Sequence, residues 1–411
     1  MRPQRLAFVA AGIVTLGMMG AADGPTTVEA IQTSPPSRMR YLARATIWRE
    51  PTALSPADVL EGPSGGFPYT FEQATGPEGI GCTFTQAGQE LGGNTPKFLC
   101  RTADGHNLRL KYWDPQSHAG NREVFSTVAA SRLMWALGFD AVPAQPMNVR
   151  CDGCPDNPET GEGTRRTRRY VAMMQALRPT PVILSTHNVD QGWSWRELDA
   201  AIRSLPAGPE RLRQRTYFDA LTLLGVFMQH GDRKPEQQRL YCAGAVSMTA
   251  GELRDPAGGT TLLLVERPGA SACPTSAVTI ADAGATFGGA GRLSSSTTAT
   301  MNRDAWQRKP VFRDAGRPDC HGDLTVSLKA GGDGEPNPVI SEEGRRFLLE
   351  QLHRLTPDHV RALFRAARVD QLGDAPRADR STGDLTVVDA WVAVFQDKVQ
   401  QIGARRCQPA S

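Results

Sequence analysis

"GDRKPEQQRLYC", residues 231–242, is a tight polar run between two apolar neighbours. Upstream, residues 209–229, "PERLRQRTYFDALTLLGVFMQ", place Tyr217, Leu221, Leu224 and Met228 on one face at helical spacing, the pattern of a central buried helix. Downstream, the run ends at the mouth of a strand. An Asp, an Arg and a Gln in a turn that follows buried residues need a reason to be there.

Before that helix, the chain is rich in short strands. "CTFTQ", "KFLCR" and "LRLKYW" alternate with glycine-bearing turns, and "DG" between the last two is a hairpin signal, so residues 82–113 are expected to form an antiparallel meander. A helix is expected from about Asn121 to Leu137, closed by Gly138, with Glu123 on a partly apolar stripe with Thr127, Ala130 and Met134. "AVPAQPMNVRC" and "TRRTRRYVAMMQAL" read as two more strands, and the "RRTRR" run as the solvated edge of their hairpin. Beyond residue 185 the pattern becomes helical. Ser341 is the expected cap of one helix and Thr356, followed by Pro357, of the next, and a last helix runs from about 387 to 402.

The chain has 411 residues, enough for one large bilobal domain or two ordinary ones, and 40% hydrophobic with 22% charged residues describes a globular protein. Arg2 and Arg5, an apolar run from Leu6 to about Met19, then Gly20, Ala21 and Ala22 have the three-part layout of a secretory signal cleaved after Ala22. A membrane anchor is the rival reading, but the run is shorter than the roughly 20 residues a span needs. No other segment is apolar enough to cross, so no membrane span is expected after cleavage. Losing Arg2 and Arg5 takes the balance of 46 Lys+Arg against 43 Asp+Glu from +3 to +1, which gives no electrostatic case for nucleic acid or anionic membrane. Eight cysteines in an exported chain imply disulfides. "RCDGCP" also has the form of half a zinc site or a redox pair. With no second CxxC and the nearest later histidine at His187, loop stapling is the preferred reading.

Four polar residues occur in a suggestive order: Lys111 at a strand end, Glu123 on the next helix, Asp232 after the buried helix, and Asp282 after the apolar strand of "AVTIADAGATFGG". Phosphoryl transfer needs such a set: a cation for the phosphates, a carboxylate that positions it, a group that orients the attacking hydroxyl, and a metal ligand. Over roughly residues 80–290 these motifs resemble the protein-kinase-like superfamily. The atypical branches compared are the secretory-pathway casein kinases, the spore-coat kinases, the HipA-type kinases and the phosphoinositide kinases. "GDRKPEQ" is similar to their "GDRHxxN", "ADAGATFG" to "DNGxxFG", and "LGGNTPK" to "LGGxxPK".

That resemblance implies an α+β, bilobal protein-kinase-like fold with a β-rich N-lobe and a helical C-lobe. The implied divisions are signal 1–22, linker and extension 23–80, N-lobe 81–180 and C-lobe 181–411. It assigns Lys111 to the nucleotide phosphates, Glu123 to its ion pair, Asp232 to the catalytic base and Asp282 to the principal Mg²⁺ or Mn²⁺ ligand. Gln237 becomes the second metal ligand, Gly92 and Gly93 the backbone that approaches the phosphates of ATP, and Gln175 part of the adenine-contacting hinge. The polar turn would then sit at the cleft between lobes, where Asp232 reaches substrate while the helix before it stays buried. Gln237 departs from the Asn of the motif, about 45 residues separate it from Asp282, and no "APE" segment is present. Cys242 and Cys273 bracket much of that insertion and are expected to cross-link neighbouring strands. The implied activity is an ATP- and metal-dependent kinase, secreted or periplasmic, acting on a hydroxyl of a protein or glycan acceptor. The alternatives are a kinase-shaped binding module without catalysis and a nucleotidyl transferase.

Overall fold

The computed structural model describes residues 30–33, 35–85, 95–113, 122–176, 182–185, 192–243, 249–254, 260–265, 273, 275–288, 300–313, 318–326, 336–373, 377–379 and 383–408; the expected signal segment and Gly92 and Gly93 lie outside them. The stretch expected to be linker and extension carries β1 (Ala30–Thr33), α1 (Pro35–Ala43), α2 (Pro56–Glu61) and α3 (Phe71–Thr75). The two short helices start with reciprocal caps, Ser55 with Asp58 and Thr70 with Gln73, which satisfy the first free backbone donors. From α1, buried Arg38 pairs with Glu197 at 2.5 Å and donates to the Gly192 carbonyl at 2.7 Å, so this segment is packed onto the second half of the chain.

The meander appears as β2 (Ile80–Thr85), β3 (Lys97–Thr102) and β4 (Asn107–Trp113), followed by α4 (Glu123–Ala136), β5 (Ala144–Cys154) and β6 (Arg166–Gln175). These five strands close into a barrel in the order β2-β3-β4-β6-β5, with the parallel β2–β5 pairing sealing it. Alternating positions fill the interior, among them Phe98, Leu108, Leu110, Met147 and Val149, as the two-residue period of a strand requires. Every residue of α4 from Val124 to Met134 is buried, which corrects the expectation of a single apolar stripe. The helix is enclosed between the barrel and the carboxy-terminal helices, so it has no solvent face over those three turns. Gly138 closes it at φ 84°, where a Cβ would also stand 2.1 Å from the Arg49 carbonyl.

The second half carries β7 (Val182–Ser185), α5 (Trp195–Ser204), α6 (Pro209–Met228), β8 (Gln238–Ala243), β9 (Thr249–Arg254), β10 (Thr260–Val265) and β11 (Thr275–Ile280). It therefore carries far more strand than the helical lobe expected, which had only the strands after the polar turn and before Asp282. A six-stranded mixed sheet, ordered β11-β8-β7-β1-β10-β9, is built largely from the insertion between Gln237 and Asp282, whose "TTLLLV" is β-prone by its branched residues. Then follow α7 (Arg303–Arg308), β12 (Cys320–His321), β13 (Val339–Ile340), α8 (Glu342–His353), α9 (Pro357–Ala366), β14 (Arg377–Asp379), β15 (Gly383–Leu385) and α10 (Val387–Ala404). Ser341 and Thr356 cap α8 and α9 as their sequences predict. An aromatic cluster of Phe227, Phe287, Trp306, Phe364, Trp391 and Phe395 ties α6, α7, α9 and α10 together.

All eight cysteines pair: Cys82–Cys100, Cys151–Cys154, Cys242–Cys273 and Cys320–Cys407, with Cα separations of 5.1–5.7 Å. Cys242–Cys273 links β8 to the residue that leads into β11, its antiparallel neighbour, as expected from the sequence. The CxxC closes on itself at the end of β5. Arginines of the "RRTRR" run lie along the hairpin edge beside carboxylates, Arg168 and Arg166 at Asp156 and Arg169 at Glu78. Among the described residues no helix is long and apolar enough to cross a membrane.

Candidate active site

The long helix α6 delivers the polar turn. It ends at Gln229, which adopts a left-handed conformation (φ 56°), and the His230 N–H returns to the Gly225 carbonyl at 2.7 Å. Arg233 then folds back over the helix. Its guanidinium lies 4.0 Å from the centre of the Trp195 ring and donates to the Thr222 carbonyl at 3.1 Å. Gly225 leaves the room for it, since a Cβ there would stand 2.0 Å from an Arg233 nitrogen. Burial lowers the Arg233 pKa to about 9. With Arg233 locked inward, Asp232 and Lys234 on either side face the other way and pair at 3.2 Å.

Gln237 joins this turn to the residues after β11. Its side-chain N–H donates to Asp232 Oδ2 at 3.1 Å, while its backbone carbonyl accepts from the N–H groups of Ala281 (2.8 Å) and Asp282 (3.1 Å). Gln175, at the end of β6, donates to the Ala281 carbonyl at 2.9 Å, so the barrel is fastened to the same point. Lys111, from β4, meets Asp282 there at 2.9 Å. Glu123 starts α4 beside them. A Cβ placed on Gly284 would come within 3.0 Å of Asp282 Oδ1 and 3.1 Å of Glu123 Cγ, which shows how closely the two acids flank that glycine.

The structure thus gathers Lys111, Glu123 and Asp282 into one cluster, and Asp232 with Gln237 into an adjoining one. Asp232 makes no hydrogen bond or ion pair to Lys111 or Asp282 among the described residues; Gln237 is the link. Gly92 and Gly93 cannot be set against the cluster. Phe287 anchors the Asp282 segment from behind. It is buried, holds φ 54°, and its N–H donates to the Met228 carbonyl at 2.6 Å. A bulky residue with positive φ is held there by its surroundings.

Charge in the cluster is strongly coupled. Burial disfavours the Asp282 carboxylate, but the Lys111 ammonium and the Gly284 N–H at 2.9 Å together hold its carboxyl below the usual range. Burial also acts against the Lys111 ammonium, and the Asp282 and Glu123 charges outweigh it, raising the lysine. Glu123 is pushed up, first by burial and then by Asp282. His230, fully buried, has neither ring nitrogen hydrogen-bonded, and burial followed by the Arg233 charge takes its pKa down to about 3. It is a neutral packing group.

Lys97 and Thr95 escaped the sequence reading. Lys97 opens β3 opposite Lys111 in the β3–β4 register and is 5% exposed. Burial, with the neighbouring Lys111 charge second, lowers its pKa to about 8. The Thr95 hydroxyl donates to the Glu123 carboxylate, and the Thr95 carbonyl accepts from Lys97 Nζ at 2.7 Å. A signal for this existed. Once the "DG" turn is placed, pairing outward from Asn107 and Arg101 brings Lys97 opposite Lys111. Lys234, which stands in "GDRKPEQ" where the compared motif has histidine, is the cation beside Asp232.

Two oxygens suit a hard cation. Asp282 keeps its side chain 29% exposed, and Asp232 Oδ1 is enclosed without a hydrogen-bond partner among the described residues. An orphaned carboxylate oxygen is costly unless a ligand completes it. Among the described residues no three His, Cys, Asp or Glu side chains form a metal cage. The cluster is equipped to hold an anion and a cation together.

The class that fold and site define is a mixed α+β protein with a closed five-stranded barrel and a cluster of lysines and carboxylates where β4, α4 and the residues after β11 meet. No protein-family model matches the chain, and no curated protein matches it. Among solved structures it is similar to the proinflammatory kinase CtkA of Helicobacter pylori at 10% identity and a TM-score of 0.36, over 79% of this chain and 95% of that one. A similarity that slight leaves the chemistry to be read from the side chains.

Proposed function

We propose that this chain is a phosphotransferase of kinase-like, bilobal build, exported to an oxidising compartment, which moves a phosphoryl group from ATP to a hydroxyl of a protein or glycan. The observation that carries the reading is the 2.9 Å pairing of Lys111 from the barrel with Asp282 after β11, with Asp232 fastened alongside through Gln237. Ionisable groups delivered by separate elements to one partly open point, with burial and mutual charge shifting Lys111, Glu123 and Asp282, form the pattern that functional sites share. The four disulfides support export, since such bonds persist where thiols are not kept reduced.

In this reading Lys111 neutralises the nucleotide phosphates, and Glu123 keeps that lysine in place. Asp282, with Gln237, holds Mg²⁺ or Mn²⁺, whose bound form supplies charge neutralisation to the departing phosphate. Asp232 orients the acceptor hydroxyl and takes its proton. Lys234, 3.2 Å from Asp232, adds positive charge on the acceptor side. The backbone bonds from Gln237 to Ala281 and Asp282 keep the two carboxylates in fixed relation, which serves the positioning such chemistry depends on.

The test is a thermal-shift titration with ATP and Mn²⁺, followed by mass spectrometry of acceptor mixtures. Wild type should be stabilised by nucleotide only with metal, Asp282→Ala should lose the shift, and products should gain phosphate. Adenylated products would favour nucleotidyl transfer on the same site. Stabilisation without any product would favour a binding module, and no shift in wild type would remove the nucleotide site altogether.

A further inference from the structure

Lys97 is a buried charge beside the cluster that the mechanism above leaves unused. It stands at the first position of β3, after Thr95 and Pro96, and opposite Lys111 across the β3–β4 pair. Opposed residues on neighbouring strands project to one face with Cβ atoms about 5 Å apart, so both ammonium groups serve the same side of the barrel. Lys97 Nζ donates to the Thr95 carbonyl at 2.7 Å, which holds the ammonium at the end of the strand beside Lys111. Arg109 and Lys111 on β4, Glu123 on α4 and Asp282 after β11 are the charges that act on it.

Counting charges makes the point. Among the described residues Lys97, Lys111 and the neighbouring Arg109 share this face with Glu123 and Asp282. If Asp282 turns to a divalent cation, its charge no longer offsets the two lysines, and the face gains positive potential that a polyphosphate would match. A buried lysine that only shaped the barrel would be replaceable by an apolar side chain of equal length; one placed beside its twin at the ligand face is not.

We propose that Lys97 is a second phosphate-binding cation, which leaves the Thr95 carbonyl to contact the polyphosphate tail of a bound nucleoside triphosphate. The proposal rests on the phosphotransferase reading and deepens it, since it assigns the tail and not the base as the group recognised. Contact with Lys97 would also release the Thr95 carbonyl, while the Thr95 hydroxyl stays on Glu123, so Thr95 remains tied to α4 when nucleotide enters.

Calorimetric titration of the oxidised full chain with ATP, ADP, AMP and adenosine separates the possibilities. Lys97→Met should weaken ATP by about tenfold to a hundredfold, the weight of one charge-assisted hydrogen bond, and leave adenosine within about twofold. Lys97→Arg should restore most of the ATP affinity. Equal losses for ATP and adenosine, or no loss for either, would overturn the proposal while leaving nucleotide binding by wild type intact. Absence of ATP binding by wild type would instead remove the underlying reading. Should Lys97→Met fail to fold, wild type treated with an acyl-phosphate ester of ATP should be acylated at both Lys97 and Lys111. Acylation at Lys111 alone would count against it.

Discussion

Replacing Lys111 with Met removes the ammonium from the centre of the cluster and keeps the length of the chain. The partner it abandons, Asp282, is only partly enclosed, so the cost falls between the few tenths of a kcal/mol of a surface pair and the several kcal/mol of a buried one, about 1–3 kcal/mol. An unfolding entropy of about 2.1 cal/mol/K per residue over 411 residues gives about 0.9 kcal/mol/K, so the melting temperature should fall by roughly 1–3 °C at pH 7. The pH dependence has a definite sign. In wild type the Asp282 pKa is depressed, so its contribution to stability is present above the ordinary carboxylate value and lost as pH falls through the lower folded value. In Lys111→Met burial acts without its counterweight, and the folded pKa of Asp282 moves above the ordinary value. The variant then recovers stability as pH drops from neutral, and Glu123, already raised, pushes in the same direction. The gap between the two proteins should therefore narrow between pH 7 and pH 4. Scanning calorimetry on both proteins across that range is the assay. An unchanged melting temperature at pH 7, or a gap that widens in acid, would refute the pairing as the source of the effect.

Two other expectations follow from packing and covalent structure. Gly344→Ala should destabilise although it improves helix propensity by about 1 kcal/mol, because the new methyl would stand 2.5 Å from Asp219 Cβ and 3.1 Å from the Ala220 nitrogen where α8 crosses α6; a net loss of about 1–2 kcal/mol in urea titration is expected, and a gain would show that the crossing can relax. Paired Cys→Ser replacements should cost stability in the order Cys320–Cys407, then Cys242–Cys273, then Cys151–Cys154, at about 4–5, 3–4 and 2 kcal/mol, since sequence separations of 87, 31 and 3 set the loop entropy restored to the unfolded chain; a reversed order in denaturant midpoints would reject that account.

Much of the local structure could be read from residue patterns because it is set by nearest neighbours. The "DG" hairpin, the caps at Ser341 and Thr356, and the apolar stripe of α6 are each short-range statements. Lys111, Glu123 and Asp282 were singled out from their order alone, and they do converge. What could not be read depends on distant packing. The burial of α4 on all sides follows from helices that arrive more than 200 residues later, and no periodicity within 123–136 announces it. β1 is four residues long and acquires its meaning only from β7 and β10, its parallel partners. The caps of α2 and α3 were visible as S-x-x-D and T-x-x-Q but went unread in a stretch rich in proline and glycine. Lys97 falls at the start of the expected strand "KFLCR", but its place beside Lys111 emerges only when the register of that strand against the next is counted.

Gln237 and Asp282 lie far apart in the sequence and yet share a backbone carbonyl, and β8 and β11 set off from that junction side by side with Gln238 opposite Ile280. The excursion between them is also stitched to the rest of the chain, because β7 and β1 lie between β8 and β10 in one sheet. Any change in its length must therefore respect two seams at once, the junction of Gln237, Ala281 and Asp282 and the parallel seam between β1 and β10.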